Sequence, residues 1–511
     1  LRLLQSLNQE SNFNITQLSL WNDHTLLCCS RWQGLLLLDL NTGKYSLPPF
    51  DCGKEIMNML IDSQNRIWIA PYNGGVSCFT HDGTRLASYT TQNSELNNDV
   101  VLSLAEREGK IWIGTDGGGI NILEPKTGKF TLLEHIPGSD NYSLPANSIL
   151  CLYNDRNNNM WAGSIRNGLI SIREVSMKTY TNVLPGNDNG LSNNTVLSIY
   201  QESSDRIWVG TDGGGINLFN PVTEKFTHYP STWQNKVASI CPFTSGNLLL
   251  SIFSQGVFVF NPATGKKTPF IIIDPETSTR LGSRGKTVNL FQNTPHSVLL
   301  LGDHVYQYDL KKQTFSIATE QQGADIIGTI LPIMNDKNLT YLNDTKHIFS
   351  LNNETNRLET LYQCTKDTLI NSVSRDEYGN FWIGNNYGLV HYNPATQKQT
   401  PIPTSLFSEV TQVVCDQQGK VWIGTDNMLF AWLIKEKKFV LFGESDGVIQ
   451  NEYLSKPRLL SSQGDVYMGG VKGLLYINSK LPLVTTGVPK LQLSEVVING
   501  ESVNDKLTGN P

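Results

Sequence analysis

Apolar and polar residues alternate in short runs along this chain, and turn residues separate the runs. Ile111-Trp-Ile-Gly-Thr leads into the glycine-rich Asp116-Gly-Gly-Gly, and the alternating run Ile120-Asn-Ile follows at once. A period of two residues is typical of β-strands, because successive side chains point to opposite faces of a sheet. Glycine allows tight reversals between such strands, since it adopts positive φ without steric cost. The pattern therefore predicts many short strands joined by turns.

The same run recurs along the chain at a nearly constant interval. Ile111-Trp-Ile-Gly-Thr-Asp-Gly-Gly-Gly returns almost unchanged from Ile207, and weaker copies bring six of the ten tryptophans to one position of the motif. The six are Trp68, Trp112, Trp161, Trp208, Trp382 and Trp422. The gap between Trp208 and Trp382 corresponds to four intervals of about 43 residues, which predicts three degenerate units, with Leu249 in the Trp position of the first. One more copy at each end brings the predicted total to eleven units.

Each unit predicts four short strands in about 43 residues, which is typical of a β-propeller blade. A single twisted sheet cannot bury both of its faces, whereas blades stacked around an axis bury each face on a neighbour, with Trp and Tyr filling the wedge between them. We therefore predict an all-β fold of four-stranded blades, with one complete seven-bladed propeller and part of a second.

The repeat positions also predict the domain boundaries. Seven blades counted back from the last unit occupy residues 188–488, and the four units in residues 1–187 are expected to be the C-terminal part of a first propeller whose earlier blades lie upstream of Leu1. Residues 489–511 predict a new strand and turn, which we interpret as the start of an immunoglobulin-like β-sandwich module.

With these motifs the chain resembles the two-component-regulator propeller repeats, and the order of its parts resembles the extracytoplasmic sensor region of hybrid two-component systems. The resemblance implies a periplasmic location, a homodimer, and an oligosaccharide ligand derived from glycans, whose binding switches on carbohydrate-utilisation genes. It also implies that a histidine kinase and a membrane anchor lie beyond Pro511, so that this segment is not itself an enzyme.

Composition and charge limit the other function classes. The chain has 40 Lys and Arg against 46 Asp and Glu, so it lacks the excess of cations that a polybasic nucleic-acid binder needs, and we predict no nucleic-acid partner. No apolar run approaches the roughly 18 to 20 residues of a membrane-spanning helix.

Candidate chemistry for catalysis or metal binding is sparse. The run Thr115-Asp-Gly-Gly-Gly lacks the Lys and the following helix of a phosphate-binding loop, and Asp116 and Asp212 are expected to cap glycine turns rather than to hold a cation. We predict no cofactor, no metal and no catalytic residue. The alternatives are a carbohydrate-active lyase or hydrolase, with two acids or a Tyr/His pair in one channel, and a protein-interaction scaffold with a broad apolar face.

The predicted ligand site lies in loops between the second and third strands of the first four units. In a propeller these loops open on the same face as the loops entering the first strands. Trp32, Tyr72, Asn73 and Arg166 stand in these loops and combine aromatic faces with planar hydrogen-bonding groups, which suits the mixed apolar and hydroxylated surface of a saccharide. Trp32 and Tyr72 could instead pack between blades, and Arg166 could form a surface salt bridge.

Overall fold

The computed structural model describes residues 15–135, 143–156, 158–173, 175–183, 188–272, 287–320, 326–480, 497–498 and 501–502. Contacts divide the chain into two compact units, Leu1–Glu174 and Val175–Pro511. The regular elements of the described residues are β-strands joined by turns, with three short 3-10 helices at Pro230–Thr232, Thr244–Gly246 and Glu444–Asp446.

The first unit contains four antiparallel sheets, named here blades 1 to 4, whose strands pair in chain order. The first strand of each blade lies beside the first strand of the next. The strands are Ile15–Asn22, Thr25–Ser30, Gly34–Asp39 and Tyr45–Ser46 in blade 1; Ile56–Ile61, Ile67–Pro71, Val76–Phe79 and Arg85–Tyr89 in blade 2; Val101–Arg107, Lys110–Thr115, Ile120–Glu124 and Lys129–Leu133 in blade 3; and Ile149–Asn154, Met160–Ser164 and Gly168–Ile172 in blade 4.

Among its described residues, the second unit contains seven sheets of four or five strands, named blades 5 to 11. The strands are Val196–Ser203, Arg206–Thr211, Gly215–Asn220 and Lys225–His228 in blade 5; Val237–Pro242, Leu248–Ile252, Gly256–Asn261 and Lys266–Phe270 in blade 6; Asn289–Thr294, Ser297–Leu301, Val305–Asp309 and Thr314–Ile317 in blade 7; Leu331–Asp336, Leu339–Asn343, His347–Asn352 and Arg357–Gln363, with the short parallel Thr319–Glu320, in blade 8; Ile370–Arg375, Phe381–Asn385, Gly388–Asn393 and Lys398–Ile402 in blade 9; Gln412–Cys415, Lys420–Gly424, Leu429–Leu433 and Lys438–Phe442 in blade 10; and Tyr453–Leu460, Val466–Gly470, Gly473–Ile477 and Met177–Tyr180 in blade 11.

The second unit closes into a ring. First strands of successive blades are neighbours, and the first strand of blade 11 contacts those of both blade 10 and blade 5. The outer strand of blade 11 is Met177–Tyr180, which precedes all other strands of the unit in sequence and pairs antiparallel with Gly473–Ile477. The predicted fold, a seven-bladed propeller accompanied by further blades of the same type, is confirmed.

The closing strand also accounts for the place where the two units divide. The predicted boundary lay after residue 187, whereas the contacts divide the chain after Glu174. The difference arises because Met177–Tyr180 pairs within the second unit. Of the predicted module at 489–511, the structure describes only the antiparallel pair Val497–Ile498 and Glu501–Ser502, and the rest lies outside the described residues.

Most of the repeated tryptophans are buried between blades, and in five of the six a carboxylate six residues earlier accepts the indole N–H. Trp422, which is fully buried, donates its indole N–H to Asp416 at 3.1 Å. The other carboxylate oxygen of Asp416 accepts backbone N–H groups of the turn between the first two strands, so one side chain orders both the turn and the indole. The same indole–carboxylate bond joins Trp68 to Asp62, Trp161 to Asp155, Trp208 to Glu202 and Trp382 to Asp376. In blade 6 the buried Leu249 takes the Trp position, as predicted.

Candidate functional site

The loops predicted to carry the site share one face of each blade in the first unit. The N–H of Tyr72 donates to the carbonyl of Glu55 at 2.8 Å, which links the loop after the second strand of blade 2 to the residue just before its first strand. Ile165 and Ser148 make the equivalent bond in blade 4 at 3.1 Å. These bonds hold the two kinds of loop together at the same end of the sheet, as the topology predicts.

Further backbone bonds join these loops from one blade to the next. The N–H of Ile56 donates to the carbonyl of Arg31 between blades 1 and 2 at 3.2 Å. Between blades 2 and 3, and between blades 3 and 4, the bonds are those from Gly75 to Asp99 at 3.0 Å and from Gly117 to Asn147 at 3.2 Å. The loops of all four blades therefore form one hydrogen-bonded series, named here the loop face, which runs from Arg31 to Ile165.

The four predicted residues all lie on the loop face and are exposed. Trp32 is 63% exposed, and the guanidinium of Arg31 lies 5.2 Å from the centroid of its ring. Tyr72 is 53% exposed, and Asn73 beside it holds a positive φ of 51°. Such exposure does not fit the alternative in which Trp32 and Tyr72 pack between blades.

Two of the predicted residues stand in adjacent blades, whereas Arg166 is farther from them. Trp32 and Tyr72 stand in adjacent blades, whose loops are joined through Arg31 and Ile56. Arg166 is exposed in blade 4, and the loop of blade 3 lies between its blade and that of Tyr72. The loop face is thus a surface that extends over four blades, and contact of these side chains with a ligand remains a prediction.

The two aspartates of the glycine turns have partners within the protein. Asp116 accepts the hydroxyl of Ser148 at 2.8 Å, and Asp212 forms an ion pair of 2.9 Å with Lys236. Within the described ranges, no group of three or more His, Cys, Asp or Glu side chains is arranged to hold a metal ion.

A second candidate site, which was not predicted from the sequence, lies in the channel of the second unit. A cavity of about 550 Å³ is lined by the first strands of all seven blades. Two of its lining residues, Lys456 and Arg458, are cations on the first strand of blade 11. The motif Lys456-Pro-Arg could have indicated this site from the sequence, because the first five residues of the equivalent strand in blade 5, Val196-Leu-Ser-Ile-Tyr, carry no charge.

Burial in the channel changes the titration of both cations. The loss of hydration disfavours the charged forms, which lowers the pKa of Lys456 to about 7 and that of Arg458 to about 10. The same cause raises the pKa of Tyr200 to about 12. Lys456 therefore loses its charge at a lower pH than an ordinary lysine does.

Comparison with known proteins identifies the repeats. The sequence model described as the two component regulator propeller matches residues 95–117, 143–166, 190–213 and 405–427. The chain therefore carries two-component regulator propeller repeats in both of its units. No curated protein matches the chain in sequence.

Two solved structures align along nearly the whole chain, and a third aligns along a shorter part of it. The extracellular domain of a hybrid two component system from B. thetaiotaomicron aligns with a TM-score of 0.67 at 20% identity, over 96% of this chain and 66% of that one. A second such domain from the same organism aligns at 19% identity over 97% and 74% of the two chains, with a TM-score of 0.47. Virginiamycin B lyase from Staphylococcus aureus aligns at 9% identity over 59% and 98%, with a TM-score of 0.44.

The first of these similarities shows the propeller fold. This chain spans 66% of the length of that structure, which is just under two thirds. Among the helices of the described residues, none is long and apolar enough to cross a membrane.

Proposed function

We propose that this chain is the extracytoplasmic, ligand-sensing part of a hybrid two-component sensor, and that its ligand is an oligosaccharide derived from a glycan. The observation that carries the ligand class is the loop face, where exposed Trp32 and Tyr72 lie in adjacent loops together with the planar amide of Asn73. The two-component regulator repeats in both units support the signalling class.

The chemistry of the loop face suits a saccharide. An exposed indole and phenol offer flat apolar surfaces for the C–H groups of a sugar ring, while amide and guanidinium groups bind its hydroxyls through paired hydrogen bonds. The cation of Arg31 lies 5.2 Å from the ring centroid of Trp32, a contact that favours one orientation of the indole and so lowers the entropy lost on binding. The backbone bonds between loops keep the spacing of the side chains fixed from blade to blade.

Signalling by such a segment requires two arrangements of the receptor with different ligand affinity. We propose that the chain works as a homodimer in the periplasm and that the ligand favours one arrangement of the two protomers. The shift is limited by the ratio of the two affinities. In this proposal the segment binds the ligand but catalyses no reaction. The enzymatic step belongs to a kinase elsewhere in the receptor.

Calorimetric titration against a panel of defined oligosaccharides tests the ligand class. We expect one member of the panel to bind with saturation, and we expect Trp32→Ala and Arg166→Ala to weaken that binding about tenfold or more, because each removes a direct contact.

Two variants serve as matched controls in the same blades. Tyr45→Ala removes an exposed aromatic from the outer strand of blade 1, and Arg156→Ala removes an exposed cation from the opposite end of blade 4. Both are expected to bind like the parent protein. Equal binding by all four variants would show that the loop face is not the ligand site.

A further inference from the structure

The channel of the second unit is a built cavity with its own chemistry. Its volume of about 550 Å³ lies within the roughly 300 to 1,000 Å³ of small-molecule sites. The lining residues come mainly from the middle and C-terminal parts of the first strands. The cavity therefore lies toward the face that carries the turns between first and second strands, away from the loops between second and third strands.

Two cations extend across this channel in opposite directions. Lys456 donates from its ammonium group to the carbonyl of Ala238 in blade 6. Arg458 donates to the carbonyl of Val373 in blade 9 at 2.7 Å and to that of Ser455 in its own strand at 2.8 Å. Blade 11 neighbours blades 5 and 10, so each side chain reaches the blade beyond its neighbour, and both charged groups lie inside the channel.

Neither cation has a carboxylate partner among the described residues. The only other charged side chain of the lining is Arg375, which is paired with Asp336 at 2.6 Å. No Asp or Glu belongs to the lining. Carbonyl oxygens accept only part of the hydrogen-bonding capacity of an ammonium and a guanidinium, and they do not neutralise the charges. Two like charges in one channel disfavour each other, and a bound anion offsets that repulsion.

The other lining residues indicate the size and character of the anion. Tyr200 and Phe291 add aromatic groups, and Gln292 and Asn335 add amide groups. A site with apolar walls, amides and two cations suits a compact organic molecule that carries one carboxylate and several polar groups better than it suits a bare inorganic ion.

We propose that the channel of the second unit binds a monosaccharide-sized carboxylate, and that Lys456 and Arg458 turn from the carbonyls of Ala238 and Val373 to hold the carboxylate between them. This site is separate from the loop face of the first unit and has a different ligand chemistry, so either proposal can fail without the other.

The test compares ligands that differ only in the charged group. D-glucuronate and D-galacturonate are titrated into the whole chain by calorimetry, with D-glucose, D-galactose and inorganic sulfate as matched probes. At pH 6.5 we expect saturable binding of at least one uronate, no binding of the neutral sugars, and weaker binding of sulfate. Absence of uronate binding, or binding of sulfate alone, would overturn the proposal.

Variants of the two cations locate the site. Lys456→Met and Arg458→Met are each expected to weaken uronate binding about tenfold or more, while Lys472→Met, an exposed change in the loop after the second strand of blade 11, leaves it unchanged. Trp32→Ala is also expected to leave it unchanged. If Arg458→Met does not fold, as judged by circular dichroism, Arg458→Lys keeps the charge and loses the paired N–H groups, so it should still weaken binding. Uronate binding that survives in every channel variant would place the site elsewhere.

The dependence on pH provides a second readout that a purely structural role of Lys456 would not produce. The titratable or charged side chains of the lining are Tyr200, Cys241, Arg375, Cys415, Lys456 and Arg458. Burial raises the pKa of Cys241 and Cys415, so Lys456 is the group that loses its charge between pH 6 and 8. Affinity for the uronate should fall about fivefold to tenfold over this range, and the fall should disappear in Lys456→Met. A pH profile identical in the two proteins would contradict the role of Lys456.

Discussion

Blade 11 of the second unit and blade 4 of the first each have three inner strands that pair in chain order. Among the described residues, only blade 11 has a fourth strand outside them. Its fourth strand, Met177–Tyr180, places Tyr180 against Phe219 and Phe226, with ring centroids 4.8 and 5.5 Å apart. In blade 4, by contrast, Tyr153 and Leu169 are 63% and 72% exposed. The repeat sequence thus specifies a blade in both units. In blade 11 the strand that closes the ring adds a buried tyrosine, which packs against aromatic residues of blade 5.

The largest expected effect compares the same residue type in the two places. Tyr180→Ala should lower the free energy of unfolding by about 3 to 4 kcal/mol, because it leaves a cavity among buried rings. Tyr153→Ala removes an exposed side chain and should cost less than about 1 kcal/mol. Denaturant unfolding followed by tryptophan fluorescence measures both. Equal losses would contradict the special role of the closing strand.

The indole–carboxylate bond offers a comparison of intermediate size. Asp416 in blade 10 is buried and accepts two turn N–H groups as well as the indole, so Asp416→Ala should cost about 2 to 3 kcal/mol. Asp155 in blade 4 makes the same indole bond at 3.0 Å but is only partly buried, so Asp155→Ala should cost about 1 kcal/mol. Thermal unfolding of both variants provides the values, and the reverse order would show that burial does not set the strength of this bond.

The smallest expected effect on stability concerns the buried lysine. The pKa of Lys456 is lowered to about 7 in the folded protein, whereas in the unfolded chain it is about 10.4. Below pH 7 both states carry the charge and the folded state bears the cost of burial. Lys456→Met should therefore be more stable than the parent protein by roughly 1 to 2 kcal/mol at pH 6.5.

The sign of this difference with pH is fixed by proton binding. Between pH 7 and 10 the unfolded chain holds a proton that the folded chain has released, so the parent protein gains stability relative to the variant as pH rises. The advantage of Lys456→Met should therefore fall from pH 6.5 to 9 by more than its value at pH 6.5, so that the parent protein becomes the more stable of the two. Unfolding of both proteins at several pH values checks this, and a constant difference would show that Lys456 does not titrate in the channel.

The repeats of Trp112 and Trp208 were sufficient to predict the fold, because their spacing of one or more blade lengths also locates the units in which another residue takes the Trp position. The position of Met177–Tyr180 was not predictable. It follows Gly168–Ile172 at the distance of a fourth strand in its own repeat, and only ring closure assigns it to blade 11. Sequence can assign a strand to a repeat, but its pairing partner depends on long-range contacts.

The two candidate sites also differ in how far the sequence predicts them. The exposed loop residues Trp32 and Tyr72 were predictable, because the strand order alone places their loops on one face. The carbonyls that Lys456 and Arg458 reach belong to blades 6 and 9, more than 80 residues away along the chain. Whether these cations and carbonyls face the same channel depends on the number of blades in the ring. A local sequence motif does not encode that number.

Hydrogen–deuterium exchange with and without a bound oligosaccharide tests the central claim most directly. The oligosaccharide selected by calorimetry should slow exchange in the loops around Arg31–Gln33, Tyr72–Asn73 and Ile165–Asn167, while turns at the opposite end of the same blades, such as Glu108–Gly109, exchange as before. Protection confined to other segments, with these three loops unchanged, would contradict the assignment of the loop face as the sensing site.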